Sequence, residues 1–212
     1  MEKNIVEINF KAPYYKVGTI TQNTKNIWLI FHGYGQLVED FAESFTSINS
    51  RENVLIFPQG LSKFYLKGVD HKIGSNWMTS HDRALDIANY LNYIDCLFDH
   101  EIKPHLGHIK LNVFGFSQGG HTASRWIHHT KISYSKLVLW GSSLAHEINK
   151  EDIKKSFSTG KNITVIGDQD RFIDLDQLEK VKHRYAKIGF AYDLIPYHGS
   201  HNIHPETLSQ II

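Results

Sequence analysis

Short apolar runs alternate with longer amphipathic stretches along the chain. Residues 27–31 are apolar at every position, the form of a strand buried on both faces, and residues 54–57, before Pro58, share it. Residues 109–114, 137–140, 163–166 and 191–195 predict four further strands. Near the start, residues 5–10 alternate apolar and polar positions like an edge strand, and residues 14–20 form a weaker second one. Helical spacing fills the gaps. Val38, Phe41, Phe45 and Ile48 recur at intervals of three and four, as do Ala84, Ile87, Ala88, Leu91, Ile94 and Phe98 after an expected N-cap at Asp82. Leu175, Leu178, Val181 and Tyr185 follow another expected cap, Asp174.

Strands alternating with helices imply an α/β domain with a mostly parallel central sheet and helices on both faces. No repeat, low-complexity tract or Pro/Gly/Ser-rich linker divides residues 1–212, so one domain is expected. In such a sheet, ligands gather beyond the carboxyl ends of the strands. The loops that follow strands are therefore where chemistry is to be sought.

Composition removes several function classes. Lys and Arg number 23 against 22 Asp and Glu, a net charge of +1, which gives no electrostatic case for nucleic acid. A single cysteine, Cys96, permits neither an internal disulfide nor a Cys-based metal site, and it is expected to pack on the long helix. No apolar run approaches the roughly 20 residues of a membrane span, so no stable membrane insertion is expected. The start shows no signal-peptide pattern, which makes cytoplasmic the expected location. No histidine or carboxylate spacing suggests a metal, and no cofactor is expected.

Each chemically suggestive segment begins where a strand ends. Gly115-Phe116-Ser117-Gln118-Gly119-Gly120 lies between the strand at 109–114 and a helix, the setting of a nucleophile elbow. Glycines flank the serine because side chains there would collide with the neighbouring strand and helix. A neutral serine needs a base and an orienting acid. Asp170 follows by 53 residues in sequence and His201 by 31 more, one strand–helix unit apart. Asp168 competes with Asp170, and His198 and His204 compete with His201. After the strand at 27–31, His32-Gly33-Tyr34-Gly35 is placed to give one oxyanion-hole amide at Tyr34, with Gln118 giving the second. Both are backbone groups, so the side chains of Tyr34 and Gln118 are expected to matter less than their positions. The long loop at 59–80 carries Phe64, Tyr65, Leu66, Ile73, Trp77 and Met78 and is expected to act as a minimal cap.

On these motifs the chain resembles the phospholipase/carboxylesterase branch of the α/β-hydrolase superfamily, which includes the acyl-protein thioesterases. His32-Gly33-x-Gly35, Phe57-Pro58, the six-residue elbow, Gly167-x-x-Asp170 and Gly199-Ser200-His201 bear the resemblance, which extends over nearly the whole chain. It implies a single-domain α/β-hydrolase fold, a Ser117–Asp170–His201 triad and oxyanion amides at Tyr34 and Gln118. It also favours Asp170 over Asp168 and His201 over His198, and puts Trp77 near the nucleophile as a substrate-lining aromatic. The implied activity is hydrolysis of a small-molecule ester or thioester through an acyl-enzyme, by a monomer or homodimer. Little sequence follows the base, so neither a lid nor a long acyl tunnel is expected. A serine peptidase on this fold and a catalytically silent binding protein are the alternative readings.

Overall fold

The computed structural model describes residues 1–48, 51–67 and 71–212. In chain order its elements are strand β1 (Tyr14–Val17), strand β2 (Asn26–Phe31), helix α1 (Val38–Ala42) running into a 3-10 turn (Glu43–Ile48), and strand β3 (Asn53–Pro58). Strands β4 (Ser62–Tyr65) and β5 (Ile73–Asn76), helix α2 (Arg83–Glu101), strand β6 (Lys110–Phe116) and helix α3 (Gln118–Thr130) follow. The remainder is β7 (Lys136–Trp140), α4 (Lys150–Ser156), β8 (Lys161–Gly167), α5 (Leu175–Ile188), β9 (Asp193–Tyr197) and α6 (Pro205–Ile211).

Seven strands form one sheet in the order β1-β3-β2-β6-β7-β8-β9, parallel throughout except for the antiparallel edge strand β1. Because side chains alternate across a strand, β2 feeds two cores. Ile27, Leu29 and Phe31 join Tyr90, Ile94 and Leu97 of α2 and Trp126 and Ile127 of α3. Trp28 and Ile30 face the other way, toward Val38, Phe41 and Phe45 of the α1 region and Leu208 and Ile211 of α6. Each large apolar side chain buried this way contributes about 1.5–3 kcal/mol. Sandwiching the sheet fixes the strand ends against one another, and those ends position the loops of the site.

Four local expectations need correction. Residues 5–10 form no strand: Ile5, Val6, Ile8 and Phe10 are 63–80% exposed, so their alternation finds no sheet face to bury. Within 59–80 an antiparallel hairpin, β4–β5, pairs Ser62 with Asn76 and Phe64 with Gly74, while 68–70 lie outside the described residues. Asp82 precedes α2 in the left-handed region (φ 52) and gives no side-chain cap; its carboxylate meets Lys3 instead. Cys96 is exposed on α2 rather than packed. Asp174, by contrast, accepts a hydrogen bond from the Gln177 amide at 2.8 Å and caps α5 as expected.

Candidate active site

Strand β6 ends on Phe116 and helix α3 begins on Gln118, which leaves Ser117 alone on the turn with φ 52 and ψ −121. A non-glycine residue there is strained and is held only by its surroundings. Ser117 N–H donates to the Trp140 carbonyl at 2.9 Å, and Ser142 Oγ and the Gly120 amide donate to the Ser117 carbonyl at 2.7 and 3.0 Å. The glycines are sterically required. A Cβ on Gly119 would overlap the Phe31 carbonyl, and one on Gly115 would overlap Gly120. The turn therefore delivers Ser117, half-buried, to the amino end of α3, where the dipole favours negative charge.

Beyond β8 and β9 the acid and the base meet. His201 Nδ1 donates to Asp170 Oδ2 at 2.6 Å. Asp170 is only 4% exposed, and its Oδ1 accepts from the Phe172 and Ile173 amides at 2.8 and 3.1 Å. Burial raises its carboxyl pKa, but the bonds from His201 and these amides outweigh it and leave the group below its ordinary value. Trp140 Nε1 and Tyr197 Oη both donate to the Asn202 carbonyl, at 2.9 and 2.7 Å, and so hold the histidine loop. The imidazole lies 4.8 Å from the Phe116 ring, next to Ser117, and 4.8 Å from the Phe172 ring. Gly141 leaves room for it; a Cβ there would come within 2.9 Å of Nδ1. Ser117 Oγ and His201 Nε2 have no hydrogen-bond partner among the described residues.

Asp168 and His198 form a second pair at 2.8 Å, and Asp168 Oδ1 accepts from the Gly199 amide at 3.0 Å. The His198 bond comes first among the causes that lower the Asp168 pKa. This pair is exposed and braces the two loops from outside, whereas Asp170 and His201 turn inward. His204 is the N-cap of α6 and bonds Thr207.

The loop after β2 rests on a buried polar network that sequence reasoning missed. His32, 0% exposed, accepts from the Gly60 amide through Nε2 at 3.0 Å and donates from Nδ1 to the Gly33 carbonyl at 2.8 Å. That pattern demands a neutral imidazole, and burial pushes its pKa down to about 4. Ser75 and Gln59 pack against Nε2. Gly35 N–H donates to the Ser75 carbonyl at 2.8 Å, and Gly33 N–H to Gln36 Oε1 at 2.8 Å, so the loop is tied to β5 and to itself. A histidine directly after a run of buried apolar residues was the available signal.

Trp77 and Gln118 also depart from expectation. Trp77 is 2% exposed and offers a ligand almost no surface; its indole donates to the His32 carbonyl at 2.9 Å. Far from idle, the Gln118 side chain accepts from the Trp77 amide at 3.0 Å and donates to the Met78 carbonyl at 2.9 Å. The exposed aromatics beside the site are Tyr34, 58% exposed and 5.2 Å from the Phe64 ring, and Phe172, 59% exposed, which sequence reasoning did not single out. Among the described residues no group of three or more His, Cys, Asp or Glu is placed to hold a metal, and no helix is long and apolar enough to cross a membrane.

A seven-stranded, mostly parallel sheet with a serine elbow after β6 and an Asp–His pair after β8 and β9 defines an α/β-hydrolase fold. The family model described as phospholipase/carboxylesterase matches residues 13–212, and the chain belongs to that family of serine hydrolases. Among solved structures it is similar to Zea mays acyl-protein thioesterase 2 (TM-score 0.70, 16% identity, covering 95% of this chain and 96% of that one). Esterase PE8 (0.67, 16%, 95% and 96%) and a phospholipase/carboxylesterase from Dyadobacter fermentans DSM 18053 (0.66, 14%, 97% and 96%) are similar in fold as well. No curated protein matches the chain by sequence.

Proposed function

We propose that the protein is a serine esterase that hydrolyses small carboxylic esters, thioesters included, through Ser117, His201 and Asp170. The 2.6 Å bond between His201 Nδ1 and a buried Asp170, with the imidazole against the residue preceding Ser117, is the observation that supports this most. With Nδ1–H given to Asp170, Nε2 is the basic nitrogen. It takes the Ser117 proton as Oγ attacks the substrate carbonyl, the Ser–His contact tightening when substrate is bound.

The tetrahedral oxyanion is received by the Tyr34 and Gln118 amides. Gln118 is the first residue of α3, so its N–H has no acceptor within the helix and is free for this task. Imidazolium Nε2–H then protonates the leaving alcohol or thiol as the C–O or C–S bond breaks. Water, deprotonated by the same nitrogen, hydrolyses the acyl-enzyme and returns the proton to Ser117. Asp170 fixes the tautomer and stabilises the imidazolium. Tyr34 and Phe172 flank the site as apolar contacts for a modest acyl or leaving group.

Ester turnover tests this. Wild-type protein is expected to hydrolyse p-nitrophenyl acetate and the matching thioester, and Ser117→Ala to lose on the order of 10⁴–10⁶-fold in kcat. Unchanged hydrolysis by folded Ser117→Ala would remove the assignment.

A further inference from the structure

The two amides proposed to hold the oxyanion come from different elements: Tyr34 from the loop after β2, Gln118 from the start of α3. Their separation must be held to a fraction of an ångström, because donors act only at about 2.7–3.1 Å from where charge develops. Steric contact supplies part of the constraint, since Gly119 packs against the Phe31 and His32 carbonyls. Contact limits how closely the elements approach; it does not stop them sliding or opening.

The end of β5 bridges both sides. Trp77 reaches the first loop through its indole, which donates to the His32 carbonyl two residues before Tyr34. It reaches the second through its own amide, which donates to Gln118 Oε1 at 3.0 Å, while Gln118 Nε2 donates to the Met78 carbonyl at 2.9 Å. The carboxamide thus ties the backbone of two successive residues, Trp77 and Met78, to the start of α3. The Trp77 ring is buried against Phe31, His32 and Tyr90, with centroids 5.5, 5.0 and 6.2 Å away, so the bridge is not free to swing.

We propose that the Trp77 indole and the Gln118 carboxamide are positioning groups that set the spacing of the oxyanion amides. The inference rests on the serine-esterase reading and deepens it. Gln118 acts twice, through its amide on the oxyanion and through its side chain on Trp77 and Met78. Neither side chain touches substrate, so their loss weakens transition-state stabilisation more than ground-state binding, which moves kcat more than KM.

Purified wild type, Gln118→Met, Gln118→Glu and Trp77→Phe are compared on one activated ester from pH 4 to 8, with Ser117→Ala alongside. Gln118→Met keeps length and loses both bonds; kcat is expected to fall about 10–100-fold, the scale of a ~1 Å misplacement, with KM within about threefold. Gln118→Glu retains both bonds only when protonated. Its rate relative to wild type is expected to rise as pH falls toward about 4, where a carboxyl regains its proton. A simple charge effect would leave Gln118→Met at the wild-type rate.

Trp77→Phe keeps the ring and removes the indole donor, with a further loss in kcat expected. If that variant is unstable by thermal melting, the two Gln118 variants decide alone. Gln118→Met within twofold of wild type in kcat, or a pH-independent ratio for Gln118→Glu, overturns the proposal. Activity persisting in Ser117→Ala defeats the serine reading itself and is told apart in the same plate.

Discussion

His32 and Asp170 show how single side chains shape the site through protonation. His32 is neutral because burial depresses its pKa from an ordinary 6.5 to about 4. Between those values the unfolded chain binds a proton that the folded chain refuses, so stability rises with pH across the window and is lost as pH falls from about 6.5 toward 4. A depression from 6.5 to about 4 corresponds to a stability change on the order of 3 kcal/mol across that window. Urea denaturation across this range should show that slope in wild type and a shallower one in His32→Gln; identical slopes would show that His32 does not titrate this way. Asp170 has a depressed pKa as well, so its contribution is complete above about 3.9 and is lost only as pH falls through its lowered value. Asp170→Asn is expected to keep the fold and lower kcat by roughly 10⁴-fold, the scale for an orienting acid. Asp168→Asn, altering an exposed brace, should change kcat by less than about threefold. Steady-state kinetics of the two variants settle which aspartate serves His201.

Elements translate these residues into geometry through close backbone approach. Helix α3 lies against β2 and β6 so tightly that only glycine fits at 115 and 119. Gly119→Ala should destabilise the fold by roughly 1–3 kcal/mol, the range for overpacking, and depress activity even where the protein stays folded. Thermal melting with kinetics at 25 °C separates the two losses. Helix α4 carries a capping box, Asn149 accepting from the Glu151 and Asp152 amides while Asp152 answers the Asn149 amide. Asn149→Ala should cost about 1 kcal/mol with kcat unchanged, since α4 bears none of the site residues. The elements that the sequence hid were those whose pattern does not report burial. Residues 5–10 alternate as a strand should, yet a strand needs a partner edge as well as a pattern. The β4–β5 hairpin reads Ser-Lys-Phe-Tyr and Ile-Gly-Ser-Asn, too polar to stand out from loop, and pairing defines it.

For the whole molecule, the buried strands were legible because a parallel sheet covered on both faces must be apolar along each strand, and 27–31 and 54–57 are. The elbow and the Asp–His pairing were legible because their glycines and spacing are dictated by strand-to-helix turns and by neighbouring strand ends. What could not be read was the polar wiring beneath: His32 against Gly60, Ser75 and Gln59, and Gln118 against Trp77 and Met78. Those contacts join residues 27 to 43 positions apart in sequence, and no local pattern announces them. In the proposed mechanism, strand ends from across the sheet converge to make Ser117 a nucleophile activated by His201 and Asp170. Intact-protein mass spectrometry after treatment with a fluorophosphonate tests it most directly. One stoichiometric adduct is expected, mapped by peptide sequencing to Ser117, absent in Ser117→Ala and strongly slowed in His201→Ala and Asp170→Asn. An adduct on another residue, or equal labelling of wild type and Ser117→Ala, would contradict it.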